Sequence, residues 1–145
     1  MQRSFSLLPK AISIAVKAHR GQKDRYGKAY ILHPLRVMSK VAGDEAKTVA
    51  ILHDVVEDTA WTLGKLKREG FPEKILRALD CLTRKNGEDY EKFVERSSRD
   101  VLARRVKLAD LEDNMDLRRV DQLKQQDLER FNKYLKAYRK LQLLE

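Results

Sequence analysis

Apolar residues recur at helical spacing along the whole chain, and no segment shows the clean alternation of apolar and polar residues that marks a half-buried strand. Gly and Pro, which supply the turns of β-rich proteins, number only 6 and 3 among 145 residues. A chain of this length can bury one substantial core. We therefore predict an all-α fold, a compact helical bundle in which residues 1–145 form a single domain.

The predicted helices begin and end at ordinary capping signals. They lie at about 7–19, from 33 to before Gly43, 45–57, from Thr62 to Gly70, from Pro72 onward, 89–97, within 99–118, and 123–144. The segment 45–57 is the least polar of them and should be buried on much of its surface. In the last helix we expect a buried stripe formed by Leu128, Phe131, Leu135, Tyr138 and Leu141.

Charge and composition narrow the class of protein. The formal net charge is +9, and residues 1–40 carry nine basic side chains against the single acidic Asp24. Such a field attracts anions, whether nucleotides, nucleic acid or acidic proteins. Cys81 is the only cysteine, so no intramolecular disulfide can form. No apolar run resembles a signal peptide or a membrane span, and we expect a cytoplasmic protein without a membrane partner.

One segment carries most of the chemistry. Residues 51–58 (ILHDVVED) place His53, Asp54, Glu57 and Asp58 at spacings of three and four, on adjoining parts of one helix side. Three carboxylates clustered on a largely buried helix repel one another and lose solvation. A divalent cation or a cationic partner relieves that cost. The alternative is an exposed acidic stripe on an amphipathic helix.

Two further segments strengthen the metal interpretation. His33 begins the second helix, and Asp110 lies four residues before Asn114 in the segment KLADLEDNM. Together with His53 and Asp54, these residues offer two imidazoles and two carboxylates. That set suits a transition metal that keeps open positions for water and substrate.

The order of these residues resembles the HD superfamily of metal phosphohydrolases, and in particular the (p)ppGpp hydrolase domain of RelA/SpoT-type proteins and the small stand-alone alarmone hydrolases. The matching segments are 18–22 (AHRGQ), 30–35 (YILHPL), 52–59 (LHDVVEDT), 82–83 (LT) and 106–115 (VKLADLEDNM). The resemblance implies an HD-type bundle that removes the 3′-pyrophosphate of ppGpp or pppGpp. It also implies one metal ion, usually Mn²⁺, bound by His33, His53, Asp54 and Asp110.

The same resemblance implies that Glu57 and Asp58 orient and deprotonate the attacking water and that Asn114 lines the nucleotide site. The loop before His33 is well placed to neutralise phosphate charge. We expect the small-molecule substrate to be bound by Lys23, Arg25, Tyr26, Lys28, Tyr30 and Asn114. The protein should be a monomer or a homodimer.

The substrate loop departs from the family pattern, because the family carries Arg-Lys where this chain has Asp24 and Arg25. Ala29 and Leu117 depart as well. These departures leave open another nucleotide substrate, such as ppApp, NADPH or a nucleoside monophosphate. A third hypothesis is a nucleic-acid-binding module without catalysis, which the complete ligand set disfavours. If Asp24 occupies the stacking position, Asp24→Arg should improve purine affinity.

Overall fold

The computed structural model describes residues 6–145, which form nine α-helices and one short 3-10 helix. The helices are α1 Leu8–Ala18, α2 Leu32–Ser39, α3 Asp44–Leu52, α4 Val55–Asp58, α5 Leu63–Arg68, α6 Glu73–Leu82, α7 Tyr90–Ser98, α8 Val101–Asn114 and α9 Gln125–Gln142. The 3-10 helix, Leu117–Arg119, connects α8 to α9. Within the described residues, extended pairing is limited to an isolated bridge between Lys23 and Ala29. The predicted all-α class is confirmed.

Helix α3 lies at the centre of the bundle, where it packs against α1, α2, α6 and α8. Its last four residues, 49–52, have no exposed surface. This burial follows from their composition, because a helix that is apolar around most of its circumference is stable only when neighbours cover it. The predicted burial of this segment is confirmed, and it holds the following residues, His53 and Asp54, rigidly at the bundle's centre.

The predicted helix over 45–57 is not continuous, because it breaks between Leu52 and Val55 into α3 and α4. The ring Nδ1–H of His53 donates to the Ala50 carbonyl at 2.6 Å, and the His53 backbone N–H contacts the same oxygen at 3.4 Å. A side chain that takes a helical carbonyl competes with the α-helical hydrogen bonds, so the helix ends there. The break turns the ring of His53 into the interior.

The final helix α9 packs on α7 and α8 through a small second core. This second core consists of Val94, Leu111, Ala137 and Leu141, and the partly buried Tyr134 and Tyr138 pack against it. The predicted buried stripe is therefore wrong in part, since Leu128 is 45% exposed and Leu135 is 40% exposed. The helix is rotated so that Tyr134 and Ala137 face inward, which directs neighbouring basic side chains toward a cleft.

Several local predictions are confirmed. The Thr62 side chain caps α5 by accepting the backbone N–H of Lys65 at 3.1 Å, and Gly70 follows that helix with a positive φ. Pro72 directly precedes α6.

Arg3, one of the basic residues counted in the first 40, lies outside the described residues. Across the described part of the chain, no helix combines the length and apolar character needed to cross a membrane.

Candidate active site

The four predicted metal ligands converge on one point, although they come from α2, the break after α3, and α8. The His33 Nε2 atom lies 2.9 Å from Asp110 Oδ1 and 3.7 Å from Asp54 Oδ2. The His53 Nε2 atom lies 3.0 Å from Asp54 Oδ2 and 3.4 Å from Asp110 Oδ1. Two imidazole nitrogens and two carboxylate oxygens therefore face one another within the interior.

These distances suit a small divalent metal ion. Ligand atoms bound at about 2.1 Å lie about 3.0–3.4 Å apart in tetrahedral or octahedral geometry. The His53 Nε2 atom is buried and, although Asp54 Oδ2 lies 3.0 Å away, the contact does not have the geometry of a hydrogen bond. Its Nδ1–H is already donated to the Ala50 carbonyl, which can only accept, so the Nε2 lone pair is free for a metal. The donor set and the orphaned nitrogen both fit such an ion.

Two neighbouring polar groups hold the carboxylates in place. Lys107 Nζ lies 3.0 Å from Asp110 Oδ2, and the Tyr30 hydroxyl donates to Asp54 Oδ2 at 2.5 Å. Burial by itself would raise the pKa of Asp110, but Lys107 and the two imidazoles outweigh it and hold that pKa well below its ordinary value. Each carboxylate thus presents one oxygen to the cluster and uses the other, or a second lone pair, to bind a fixed partner.

Glu57 and Asp58 lie beside this cluster on α4, at its solvent-facing side. Carboxylate oxygens of Asp54, Glu57 and Asp58 come within 4.8 Å of one another. Partial burial raises the pKa of both Glu57 and Asp58, and the neighbouring Asp54 raises each pKa further. Glu57 Oε1 accepts the backbone N–H of Arg84 at 2.8 Å, which fixes the side chain while leaving Oε2 available. A carboxylate of raised pKa next to a metal site is suited to accept a proton.

The cluster forms the floor of a cleft of about 440 Å³. Its walls include five of the six residues predicted to bind substrate, namely Lys23, Arg25, Tyr26, Tyr30 and Asn114. The sixth predicted residue, Lys28, is exposed near the end of its loop and is not one of the described residues that line the cleft. Asn114 donates to Asp110 Oδ1 at 3.1 Å, so it contacts both the cluster and the cleft.

Asp24 organises the loop that borders the cleft. Its Oδ1 accepts the backbone N–H groups of Tyr26 and Lys28, each at 2.9 Å. The Asp24 backbone N–H donates to the Lys28 carbonyl at 2.8 Å, and Gly27 occupies a positive φ of 79° within the turn. The acidic residue at the position of an expected substrate cation is therefore part of an Asx turn, and it presents Arg25 and Tyr26 to the cleft.

A set of basic side chains that also line the cleft, here called the basic wall, was not predicted from the sequence. It consists of Arg84, Lys107, Arg119, Arg130 and Lys133, with Tyr134 beside them. Within residues 6–145, neither Arg84 nor Lys133 has an acidic side chain at salt-bridge distance, and each cation lies over the ring of Tyr90. The spacing of Arg130, Lys133 and Tyr134 on one helix side was a detectable signal, which the choice of Leu128 and Leu135 as the buried stripe obscured.

Asp113 was not predicted to belong to the site, because the polar segment 111–114 (LEDN) gives no reason to expect a buried acidic residue. It is only 1% exposed, and its Oδ2 lies 2.7 Å from His33 Nδ1. Burial alone would raise its pKa, but hydrogen bonds from His33 and Arg36 lower the pKa of Asp113 to about 2. The sequence does contain one signal for this contact. Asp110 and Asp113 are three residues apart on α8, and His33 and Arg36 are three residues apart on the facing helix α2, so two acidic residues can meet two basic ones.

Fold and site together define a helical protein with a buried two-histidine, two-carboxylate cluster beneath a basic cleft. Comparison with known proteins gives a consistent result, although no protein-family model matches the chain. A guanosine-3′,5′-bis(diphosphate) 3′-pyrophosphohydrolase of Haemophilus influenzae is 36% identical over 117 residues, 70% of this chain and 17% of the relative. A protein of the same name from Aquifex aeolicus is 32% identical over 120 residues, 74% of this chain and 17% of its own length.

A GTP pyrophosphokinase of Brucella melitensis is 37% identical over 127 residues, 76% of this chain and 16% of the relative. The chain thus spans about a sixth of the length of these curated relatives. A solved structure described as a metazoan orthologue of SpoT that hydrolyses ppGpp superposes with a TM-score of 0.78 at 20% identity, covering 97% of this chain and 88% of that one. The predicted resemblance to the RelA/SpoT-type hydrolase domain is confirmed in sequence and in fold.

Proposed function

We propose that this chain is a divalent-metal-dependent hydrolase that removes the 3′-pyrophosphate of (p)ppGpp. The observation that carries the proposal is the convergence of His33, His53, Asp54 and Asp110 at the floor of a cleft lined with cations. The names of the curated relatives support the substrate class. Residues 1–145 would act as one hydrolase domain, in the cytoplasm, as a monomer or homodimer.

The four converging residues would hold one metal ion, which we propose to be Mn²⁺. When bound, such an ion supplies Lewis acidity that lowers the pKa of a water molecule and withdraws charge from a phosphoryl oxygen. His33 and His53 would bind through Nε2, because Nδ1 of each ring already has another partner. Asp54 and Asp110 would bring the negative charge that favours a divalent ion over a monovalent one.

Glu57 would accept the proton of the attacking water. The Arg84 backbone N–H binds Glu57 Oε1, which leaves Oε2 available beside the cluster. The raised pKa of Glu57 strengthens it as a base. Asp58, one position along the same turn, would orient the water. The reaction adds water across the bond between the 3′ oxygen and its phosphorus, which releases pyrophosphate and leaves a 3′ hydroxyl.

The walls of the cleft suit a nucleotide that carries several phosphates. Lys107 and Arg84 lie near the floor, where they would offset charge on the leaving pyrophosphate. Arg130 and Lys133 line the cleft from α9 and would bind a second phosphate group. Tyr26, in the loop that borders the cleft, is 37% exposed and offers an aromatic face on which a base can stack.

Asp24 motivates a second candidate, the same chemistry on another nucleotide such as ppApp or NADPH. Because the Asp24 carboxylate is bound within its own turn, no cation is presented at that position to stack on a purine. Base recognition would then depend on Tyr26 and on the neighbouring Arg25, so a base other than guanine remains compatible with this wall.

The test is release of pyrophosphate and phosphate from ppGpp, pppGpp, ppApp and NADPH, each with Mn²⁺ and with excess chelator. Pyrophosphate released from ppGpp faster than from ppApp, and abolished by the chelator, would support the first proposal. Metal-dependent turnover of another nucleotide alone would move the function to that substrate. Turnover that persists in chelator would refute the metal centre, and salt-sensitive nucleic-acid binding without any turnover would favour a binding module.

A further inference from the structure

The buried Asp113 and the partly buried Arg36 form an ion pair on the side of His33 that faces away from the metal cluster. Asp113 Oδ1 accepts Arg36 Nε–H at 2.8 Å, and Asp113 Oδ2 accepts from Arg36 Nη2 at 3.1 Å and from His33 Nδ1 at 2.7 Å. Arg119 approaches the same carboxylate, with Nη2 at 3.5 Å from Oδ2. Of these contacts, the mechanism proposed above uses only the one between Asp113 and His33 Nδ1, and it assigns no role to Arg36.

The pair follows from the register of two facing helices. His33 and Arg36 lie three residues apart on α2, and Asp110 and Asp113 lie three residues apart on α8, so each pair occupies one helix side. Where α2 packs on α8, the ring of His33 is held between two carboxylates: Asp110 at Nε2 and Asp113 at Nδ1. Both the rotation of the ring and the position of its proton are therefore constrained.

We infer that Asp113 is a positioning residue for the metal centre: it accepts the Nδ1–H of His33 so that the Nε2 lone pair faces the metal, and Arg36 fixes the carboxylate in that orientation. A neutral imidazole carries one N–H, and without an acceptor at Nδ1 that proton can move to Nε2 and bind Asp110 instead. Such a ring could not bind a metal. Partners of this kind typically change metal affinity by about 10- to 100-fold.

The inference rests on the proposed metal site, and it concerns His33 alone, since His53 Nδ1–H donates the equivalent hydrogen bond to the Ala50 carbonyl. This difference makes the two histidines unequal. The backbone acceptor of His53 cannot be removed by substitution, whereas the acceptor of His33 can. Loss of Asp113 should therefore weaken one metal ligand while leaving the other three in place.

The experiment measures Mn²⁺ affinity of the purified full chain by competition with a chelating indicator. We expect Asp113→Asn to weaken Mn²⁺ binding about tenfold or more. Arg36→Met keeps the bond between Asp113 and His33 but releases the carboxylate, and it should weaken binding by a smaller factor. The matched control is Glu88→Gln, which removes a partly buried carboxylate paired with Arg96 at 2.8 Å and away from the ligands; its Mn²⁺ affinity should equal that of the wild type.

Circular dichroism and thermal unfolding of each metal-free variant show whether it is folded, and Arg36→Met carries the test if Asp113→Asn is not. Folded variants at Asp113 and Arg36 that bind Mn²⁺ as tightly as the wild type would overturn the positioning role. A loss of affinity in Glu88→Gln equal to that in Asp113→Asn would overturn it as well. A wild-type chain that binds no Mn²⁺, Zn²⁺ or Co²⁺ would instead overturn the metal centre itself.

Discussion

Lys133 provides a direct test of whether the basic wall binds the substrate. It lies on α9 at the cleft, and within the described residues no carboxylate is at salt-bridge distance from its ammonium group. Partial burial and the neighbouring cations Arg84, Lys107 and Arg130 lower its pKa. A cation held among other cations without a counter-ion gains stability when an anion binds. We predict that Lys133→Met raises KM for ppGpp and leaves kcat nearly unchanged.

The size of the effect follows from Coulomb's law. Two unit charges 4 Å apart interact by about 1 kcal/mol in water and about 4 kcal/mol at an effective dielectric constant of 20. Lys133 is largely exposed where it lines the cleft, which places its interaction toward the weak end of that range. A loss of about 1.4 kcal/mol corresponds to a tenfold rise in KM. Because the interaction is between exposed charges, the rise should shrink as salt increases.

Lys136 supplies the matched control. It lies one turn further along α9, is exposed, and its Nζ is 2.7 Å from Glu91 Oε1, outside the cleft. Lys136→Met removes the same charge from the same helix, so KM should stay within about twofold of the wild-type value at 0.15 M salt. Initial rates over a range of ppGpp concentrations, at low and high salt, give both constants. An unchanged KM in Lys133→Met, or equal effects of the two substitutions, would refute the assignment of this wall.

Three further predictions concern the base, the loop and the second core. Glu57→Gln keeps the hydrogen bond to the Arg84 backbone but cannot accept a proton, so kcat should fall about 100-fold or more. A metal titration should show that its Mn²⁺ affinity is retained. A near wild-type rate would contradict the proposed base. Asp24→Arg removes the acceptor of two backbone N–H groups, which should disturb the loop and raise KM for ppGpp in steady-state rates. The sequence pattern alone predicts the opposite, an improved purine affinity. A lower KM would therefore support the prediction from the sequence and contradict the one from the loop geometry. Leu141→Ala, at a fully buried position of the second core, should cost about 3 kcal/mol of unfolding free energy in urea, and a loss below about 1 kcal/mol would mean that α9 is not anchored there.

Helical periodicity and the His and Asp motifs were sufficient to predict the fold class and the set of residues that converge. They could not predict the break after Leu52, because it depends on the ring of His53 competing for a single carbonyl group. They could not predict the partner of His33 either. Asp113 is separated from it by 80 residues, and its burial is decided by the packing of α2 on α8.

The orientation of α9 was mispredicted for a related reason. The helix carries apolar residues on more than one side, so several stripes are consistent with the sequence. The face of α9 that is buried contains Tyr134, Ala137 and Leu141, because these side chains pack against α7 and α8. Composition therefore indicated a basic protein, and the packing of α9 decides that Lys133 and Arg130 line the cleft.

The separate anchoring of α9 has an evolutionary consequence. Its side chains rest on the small cluster around Leu111 and Leu141, whereas α3, which leads into His53 and Asp54, packs in the main core. Substitutions of the α9 side chains that line the cleft can therefore accumulate without altering the packing of α3 that holds two of the four proposed metal ligands. If the proposed function holds, a lineage could change which nucleotide it recognises, or how many phosphates it requires, by altering this one helix while keeping the proposed metal ligands.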